Sequence, residues 1–270
     1  MDFLVTDQYE PLLSKLGFRF GTNGTHAART MMLDDLRILF AQVPASADRS
    51  GYQQAIVTDN VLAKPTKKAR ELAHRHMVTL YGLDNVNPVF RALRRLWFSD
   101  EAAQPVLALL VAIARDPLLR ETQNFFITKA VGELVARTEV EDLLEKHYPD
   151  RFSQASLKSF AQNISGTWTS AGFLTGRIRK HRAHPAIKPE NVVLSLFLGY
   201  LEGRTGQRLF NSRWMELLGI SQDEAESLAK SAFHRGFLVF MDAGGIKEVR
   251  FPDYLTPEEE KMCQEVSHVV

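Results

Sequence analysis

The sequence predicts a mainly α-helical protein: an N-terminal helical bundle followed by tandem winged-helix-like units with short β-hairpins. Apolar residues recur every three or four positions over most of the chain, which is typical of amphipathic helices. A helix that ends at Gly-Phe-Leu occurs twice, at residues 172–174 and 236–238. The second copy is followed by two β-rich runs joined by Gly-Gly, the signal of a hairpin. We therefore divide the chain into a bundle (1–149), a first helix-plus-wing unit (150–188), a second winged unit (189–255) and an acidic tail (256–270).

The composition is that of an ordinary soluble globular protein, with 45% hydrophobic and 24% charged residues among 270. Cys263 is the only cysteine, which excludes a disulfide framework and favours a reducing compartment. The first residues lack the pattern of a signal peptide. The longest apolar run, Val106 to Ala114, is too short for a bilayer, which needs about 20 residues. We expect a cytoplasmic protein without membrane contact.

Positive charge is concentrated in two zones, although the net charge is only +1. Residues 151–220 contain ten Lys or Arg against three Glu, and residues 64–95 contain eight against two acidic residues. Such zones on a nearly neutral chain indicate local anion-binding faces rather than general basicity.

The bundle is predicted from helix start and stop signals. Thr25 is expected to cap a helix over residues 26–43, and Thr66 to cap a basic helix that stops at Gly82. Further helices are predicted at residues 51–60, 88–98 and 101–116.

A search for catalytic and ligand-binding motifs finds no strong candidate. Residues 21–25, Gly-Thr-Asn-Gly-Thr, lack the spacing of a phosphate-binding loop. His74 and His76 lie two positions apart, so they do not share one face of a helix and are not expected to bind a metal. We expect no cofactor and no catalytic residue, although a triad scattered along the sequence would escape this search.

The first unit combines an amphipathic helix with a basic segment. Leu157, Phe160, Ile164, Trp168 and Ala171 form its apolar stripe. The polar face is expected to consist of Lys158, Gln162, Ser165 and Thr169, with Asn163 near its edge. Short polar side chains suit close approach to a nucleic-acid groove, but they are equally typical of an ordinary exposed helix.

Basic residues follow this helix where a wing would lie: Arg177, Arg179, Lys180 and Arg182. Each phosphate that such a side chain neutralises releases condensed counterions, which would make binding strongly salt-dependent. A solvated basic loop is the alternative. The helix, the Gly-Phe-Leu step and the repeat together favour contact with nucleic acid, and the wing favours duplex DNA over RNA.

The second unit has the clearer hairpin signal but the weaker charge. Ser221 and Glu224 have the spacing of a capping box before its last helix. Lys247 and Arg250 in the hairpin are opposed by Asp242 and Glu248. Contact with DNA and a purely structural or protein-binding wing therefore remain equally open here, and the acidic tail is expected to fray.

Three segments resemble BrxA, the small helical component of BREX bacteriophage-exclusion systems. They are the helix at residues 27–40, the Asn60, Leu62 and Thr66 step before a basic helix, and residues 165–176. The resemblance spans about residues 25–182, while this chain is longer and adds the C-terminal hairpin unit. It implies a helical DNA-binding accessory protein without catalytic activity, acting beside a methyltransferase, a large ATPase and a phosphatase-like protein. It also implies a second basic face formed by Lys67, Lys68, Arg70 and Arg75.

The leading hypothesis is thus a module that binds duplex DNA with weak sequence preference. A scaffold that assembles partner proteins is the alternative, and its basic surfaces would meet acidic partners. A hydrolase or nuclease is the least favoured, since neither a metal-ligand cluster nor a nucleophile motif is evident.

Overall fold

A computed structural model describes residues 9–22 and 24–267. Three predictions concern residues outside these ranges, at least in part. They are the absence of a signal peptide at residues 1–8, the glycine-containing loop at Asn23 and the tail at residues 268–270. The described chain is mainly helical with two small antiparallel sheets, so the mainly α fold class is confirmed.

The N-terminal half consists of helices joined by short turns. Its helices are α1 (Glu10–Lys15), α2 (Leu33–Gln42), α3 (Arg49–Gln53), α4 (Lys67–Tyr81), α5 (Pro88–Leu96), α6 (Gln104–Arg115), α7 (Pro117–Glu121) and α8 (Gln123–Thr128). A 3-10 turn lies at Thr25–Ala27 and another at Glu101–Ala103, and a π-helical turn at Gln54–Thr58 continues α3. The Thr66 side chain caps α4 by accepting a hydrogen bond from Ala69 N, and Gly82 ends that helix, as predicted.

The helix expected to start at Thr25 instead starts at Leu33. Met32 precedes it with a left-handed φ of 54°. The backbone N–H groups of His26 and Met31 donate to the side chains of Asp116 and Thr167, respectively. Because distant side chains take these donors, the segment between the 3-10 turn and α2 does not form a continuous helix.

Helix α6 lies at the centre of the core. All its residues except Pro105 are buried, and it packs against α4, α5, α7 and α11 (Pro189–Leu201). Its apolar run therefore faces protein rather than lipid. Within the described residues no single helix has both the length and the apolarity to span a membrane. The segments Glu101–Arg115 and Pro117–Thr128 reach that threshold only as a pair, bent by 102°.

The first sheet joins segments that the predicted boundary at residue 149 separates. Its strands are β1 (Leu134–Val135), β2 (Leu174–Thr175) and β3 (Lys180–Arg182), in the order β1-β3-β2. Helices α9 (Arg137–His147) and α10 (Gln154–Ser170) lie between β1 and β2 in sequence and pack on each other. Thus β1 and α9 pair with elements that follow residue 149.

The second unit consists of four helices and a hairpin, and the hairpin lies where it was predicted. It contains α11, α12 (Gln207–Phe210), α13 (Arg213–Leu218), α14 (Gln222–His234), β4 (Val239–Ala243) and β5 (Ile246–Arg250). The Ser221 side chain accepts from Glu224 N at the start of α14. Gly244 and Gly245 have positive φ angles, 62° and 84°, as a tight two-residue hairpin turn requires.

The described residues of the tail do not fray, contrary to expectation. Residues Pro257–Ser267 form helix α15, which buries Cys263 and Val266. Arg91 donates to Glu259, and the Tyr200 hydroxyl donates to Glu260. The acidic residues that suggested a solvated tail thus meet donors from α5 and α11, while the apolar residues between them pack inward.

Because α15 packs with Cys263 buried, we expect the Cys263 thiol to be unreactive. Burial, followed by the nearby Glu260 and Glu259, raises the pKa of Cys263 to about 12. At pH 8 we expect disulfide-exchange reagents to label the native thiol at least about 100-fold more slowly than the urea-unfolded chain. The control is Gln264→Cys with Cys263→Ser, which moves the thiol to an exposed position of the same helix and should label rapidly. Rapid labelling of native Cys263 would indicate an undocked tail.

Candidate nucleic-acid interface

Helix α10 and the hairpin that follows it form a surface without acidic side chains. Residues 154–182 contain five Lys or Arg and no Asp or Glu. The Ser153 side chain caps α10, and Gly172 follows the helix with a φ of 83°. Lys158 and Gln162 are exposed at a spacing of four, so they share one face of the helix.

The tip of the β2–β3 hairpin presents three exposed side chains, Arg177, Ile178 and Arg179. Gly176 makes the turn possible: its φ is 96°, and an added Cβ would lie 2.0 Å from the Arg179 carbonyl oxygen. A larger residue would force the turn open. The tip therefore has a defined position relative to α10.

A cleft of about 430 Å³ separates the hairpin from α10. We call it the hairpin cleft; it is lined by Val135, Arg137, Gln162, Ser165, Gly166, Arg177, Ile178 and Lys180. None of these described residues is acidic. Arg137 forms an ion pair with Glu141, with Nε 2.8 Å from Oε1. The other two cations that line the cleft, Arg177 and Lys180, lie on the hairpin.

Lys180, which lines the cleft, is fixed in position. Its Nζ donates to Thr169 Oγ1 at 2.7 Å, and the Thr169 hydroxyl donates to the Ser165 carbonyl at 2.7 Å. Burial lowers the pKa of Lys180. Thr169, predicted to contact DNA, therefore has its hydroxyl engaged in joining the helix to the hairpin.

Several other predicted contact residues point into the protein. Ser165 and Arg182 are each 4% exposed, and the Asn163 side-chain amide donates to the His26 carbonyl. Arg182 Nε donates to the Phe126 carbonyl, and its Nη1 donates to the carbonyls of Phe173 and Ala183. The expectation that Arg182 meets a phosphate is at odds with this geometry, because β3 alternates its side chains and Arg182 lies on the inner face.

Four arginines in the described part of the chain are buried, and two of them, Arg94 and Arg182, belong to the basic zones. Arg94, Arg115, Arg120 and Arg182 are all buried, and each donates to carbonyls at or next to the C-terminal end of a helix. Helix ends leave such carbonyls without intrahelical partners and carry partial negative charge, so an internal guanidinium is well placed there. Charge counted along the sequence therefore overstates the charge available at the surface.

The second predicted basic face, on α4, is partly exposed. Lys67, Lys68 and Arg75 are exposed, whereas Arg70 is half-buried and donates to the Thr58 carbonyl. A groove of about 590 Å³ separates α4 from the start of α2 and reaches Ser170 at the end of α10. It holds charges of both signs, since Arg29, Asp34, Asp35, Arg37 and Lys64 are among its lining residues. Its charge is therefore less one-sided than that of the hairpin cleft.

The second hairpin offers little free positive charge. The Lys247 ammonium lies 3.1 Å from Glu226 and 3.3 Å from Asp242, with its side chain 8% exposed. The hydrogen bond to Glu226, with that to Asp242, raises the pKa of Lys247. Arg250 is exposed but pairs with Glu248 at 3.0 Å.

A buried hydrogen-bonded set of Asp, His and Thr lies behind α10. His26 Nδ1 is 2.9 Å from Asp116 Oδ2, and His26 Nε2 is 2.8 Å from Thr167 Oγ1. All three side chains are 0% exposed, and Thr167 Oγ1 also accepts from Met31 N. Although these residue types occur in hydrolytic triads, the hydroxyl is occupied and has no exposed surface from which to attack a substrate.

Two cations that were not predicted also line these sites: Arg137 in the hairpin cleft and Arg29 in the groove between α2 and α4. Arg137 is 40 residues from the hairpin, and no local pattern connects them. Only the pairing of β1 with β3 brings it there. Within residues 9–22 and 24–267, no group of three or more His, Cys, Asp or Glu residues is arranged to hold a metal ion.

Comparison with known proteins identifies a related fold but no family. No protein-family model matches the chain, and no curated protein sequence matches it. The resemblance to BrxA is therefore not confirmed. Among solved structures, a crystal structure of SspB matches with a TM-score of 0.53, covering 95% of this chain and 100% of that chain at 12% identity. A magnesium ion-bound SspB structure matches with a TM-score of 0.52, over 96% and 99% of the two chains at 12% identity. The chain thus shares its fold with SspB over nearly its whole length.

Proposed function

We propose that this chain is a non-catalytic, DNA-binding accessory protein of a bacterial phage-defence system. One observation carries the DNA-binding part. Residues 154–182, with α10 and its hairpin, have no carboxylate, and three of their five cations, Lys158, Arg177 and Arg179, are exposed. The equivalent residues 222–250, with α14 and its hairpin, have four Lys or Arg against five acidic residues. The two segments have the same order of elements, but only the first has the one-sided positive charge that binding to a phosphate backbone requires.

The order of elements supports this assignment. A strand, two helices and a two-stranded hairpin closing on the first strand are the arrangement of a winged helix. In helix-turn-helix proteins the second helix of the pair enters the major groove. In that position α10 would offer Gln162 to base edges and Lys158 to the backbone, while Arg177 and Arg179 would meet phosphates. A single polar reader suits weak sequence preference.

Two likenesses support the defence role. One is the resemblance of residues 25–182 to BrxA. The other is the fold shared with SspB, which is a protein of a phosphorothioate-modification defence system. Other defence proteins, such as a methyltransferase, an ATPase or a phosphatase-like protein, are the proposed protein partners.

A scaffold that binds partner proteins is the second candidate, and the second hairpin favours it. Ile246 and Met241 there are 77% and 43% exposed, and Lys247 of the same hairpin pairs with Glu226 of α14. Exposed apolar side chains within a mixed-charge surface suit a protein partner better than a phosphate backbone. The two functions are compatible, with DNA on the first unit and protein on the second.

Salt-dependent DNA binding is the direct test. With a fluorescent 30-mer duplex, we expect log K to fall linearly with log salt concentration. Arg177→Ala with Arg179→Ala should reduce the magnitude of the slope by about 2, since each lost phosphate contact removes about 0.9. Lys230→Ala with Arg250→Ala removes the same charge from the second unit and should leave the slope unchanged. A slope that neither pair of substitutions changes, or no binding at low salt, would favour the scaffold.

A plasmid assay tests the non-catalytic part. Supercoiled plasmid incubated with the protein and Mg²⁺ should remain supercoiled. Nicking or linearisation that requires the divalent ion and coelutes with the protein would contradict this part while leaving DNA binding intact.

A further inference from the structure

Ile178 is the most exposed of the large apolar side chains in the described residues, at 93%. A single exposed isoleucine is ordinary on a protein surface. This one, however, lies at the tip of a hairpin, between two exposed arginines and beside the cleft that faces α10. The combination of this position with near-full exposure indicates that Ile178 contacts a binding partner.

The hairpin holds this tip on a fixed base. Strand β3 pairs with β1 on one side and β2 on the other. Lys180 is bonded to Thr169 on α10, and Arg182 to the Phe126 carbonyl. Gly176 closes the turn in a conformation that its neighbours would deny to a larger residue. An apolar side chain mounted in this way can enter a partner without first losing the freedom of a mobile loop.

The neighbouring charges favour DNA as that partner. Arg177 and Arg179 flank Ile178, and no carboxylate occurs between residues 154 and 182. A hydrophobic pocket on a protein would not require two guanidinium groups, whereas the minor groove has a negative potential that attracts arginine. Isoleucine is among the side chains that intercalate as wedges from that groove.

We propose that Ile178 inserts between adjacent base pairs from the minor groove, with Arg177 and Arg179 on the flanking backbone, so that binding kinks the duplex. This inference rests on the proposed DNA binding through α10 and the hairpin. With α10 in the major groove, the hairpin tip lies against the adjacent minor groove. The wedge partly unstacks one step, and the bend brings more backbone towards the basic surface. Flexible pyrimidine–purine steps are therefore the preferred targets.

Fluorescence energy transfer between the ends of a 30-bp duplex with a central TA step tests the proposal. The wild-type protein should bend this duplex by roughly 20–90°. Ile178→Ala should abolish the bend and weaken binding by about tenfold, with an unchanged salt slope because no phosphate contact is lost. Ile246→Ala makes the same truncation at the tip of the other hairpin and should alter neither quantity.

The outcomes separate this inference from the proposed function. Binding without bending, or a bend that survives Ile178→Ala, would overturn the wedge and leave DNA binding in place. Loss of bending together with a smaller salt slope would instead assign the effect to the arginines and also overturn it. No DNA binding at any salt concentration would remove both proposals and direct the hairpin tip to a protein partner.

Discussion

Asp116→Ala is expected to lower the free energy of unfolding by about 3–5 kcal/mol. The Asp116 carboxylate is fully buried and accepts three hydrogen bonds: from His26 N at 3.0 Å, His26 Nδ1 at 2.9 Å and Leu119 N at 3.1 Å. Alanine would leave these donors without a partner in a region with no access to water. The loss is a large part of a typical stability of about 5–15 kcal/mol.

The same network fixes the helix assigned to DNA. Met31 N donates to Thr167 Oγ1, and the two ring nitrogens of His26 are hydrogen-bonded to Thr167 Oγ1 and to Asp116 Oδ2. Because Thr167 lies on α10, the network ties α10 to the 3-10 turn and to the start of α7. Loosening it is expected to weaken DNA binding indirectly.

The effect should depend on pH. Burial alone would raise the pKa of Asp116, but its contacts with His26 and the Leu119 backbone hold that pKa below the ordinary value of 3.8. A carboxyl whose pKa is lowered by folding contributes stability above its unfolded pKa and loses it as the pH falls through the folded pKa. The stability gap between the wild type and Asp116→Asn should therefore be full at pH 6 and shrink below pH 3.8.

Urea denaturation followed by tryptophan fluorescence measures these changes, since Trp97, Trp168 and Trp214 are all buried. Asp34→Ala is the control, because the Asp34 side chain is 91% exposed and pairs only loosely with Arg37, at 3.4 Å. It should change stability by less than about 0.5 kcal/mol. An Asp116→Ala protein within about 1 kcal/mol of the wild type would show that the network is not essential to the fold.

Elements defined by local signals could be predicted from the sequence. The caps at Thr66 and Ser221 and the turn at Gly244–Gly245 depend only on contacts within a few residues, and each forms as predicted. The start of α2 could not be predicted, because the competing acceptors, Asp116 and Thr167, are about 90 and 140 residues away. Gly24 illustrates the same limit: an added Cβ there would lie 2.0 Å from Asp116 Oδ1, which no local pattern reveals.

The candidate interface was only partly predictable for a related reason. Periodicity identifies the exposed positions of α10, such as Lys158 and Gln162, because helical geometry fixes them. In the basic segment, however, similar side chains have opposite fates: Arg179 is exposed and Arg182 is buried. Burial there depends on the pairing of β3 with β1, a strand more than 40 residues away that sequence analysis did not identify.

Arg182→Ala and Arg179→Ala are expected to have opposite consequences, although the residues are three positions apart. Arg182→Ala removes a buried guanidinium and leaves the carbonyls of Phe126, Phe173 and Ala183 without this donor. It should lower the free energy of unfolding by about 2–4 kcal/mol. Arg179→Ala removes an exposed side chain and should change stability by less than about 0.5 kcal/mol.

In DNA binding, we expect Arg179→Ala to have the larger effect and Arg182→Ala the smaller one. At a temperature where both are folded, Arg179→Ala should weaken binding and reduce the magnitude of the salt slope by about 1, as the loss of one phosphate contact requires. Arg182→Ala should keep the wild-type slope, since its guanidinium neutralises no phosphate. Arg182→Lys, which retains a charge but reaches fewer carbonyls, should fall between alanine and the wild type in stability alone. If Arg182→Ala instead kept full stability and lost slope, Arg182 would lie on the backbone of the duplex, as its place in the basic segment first indicated.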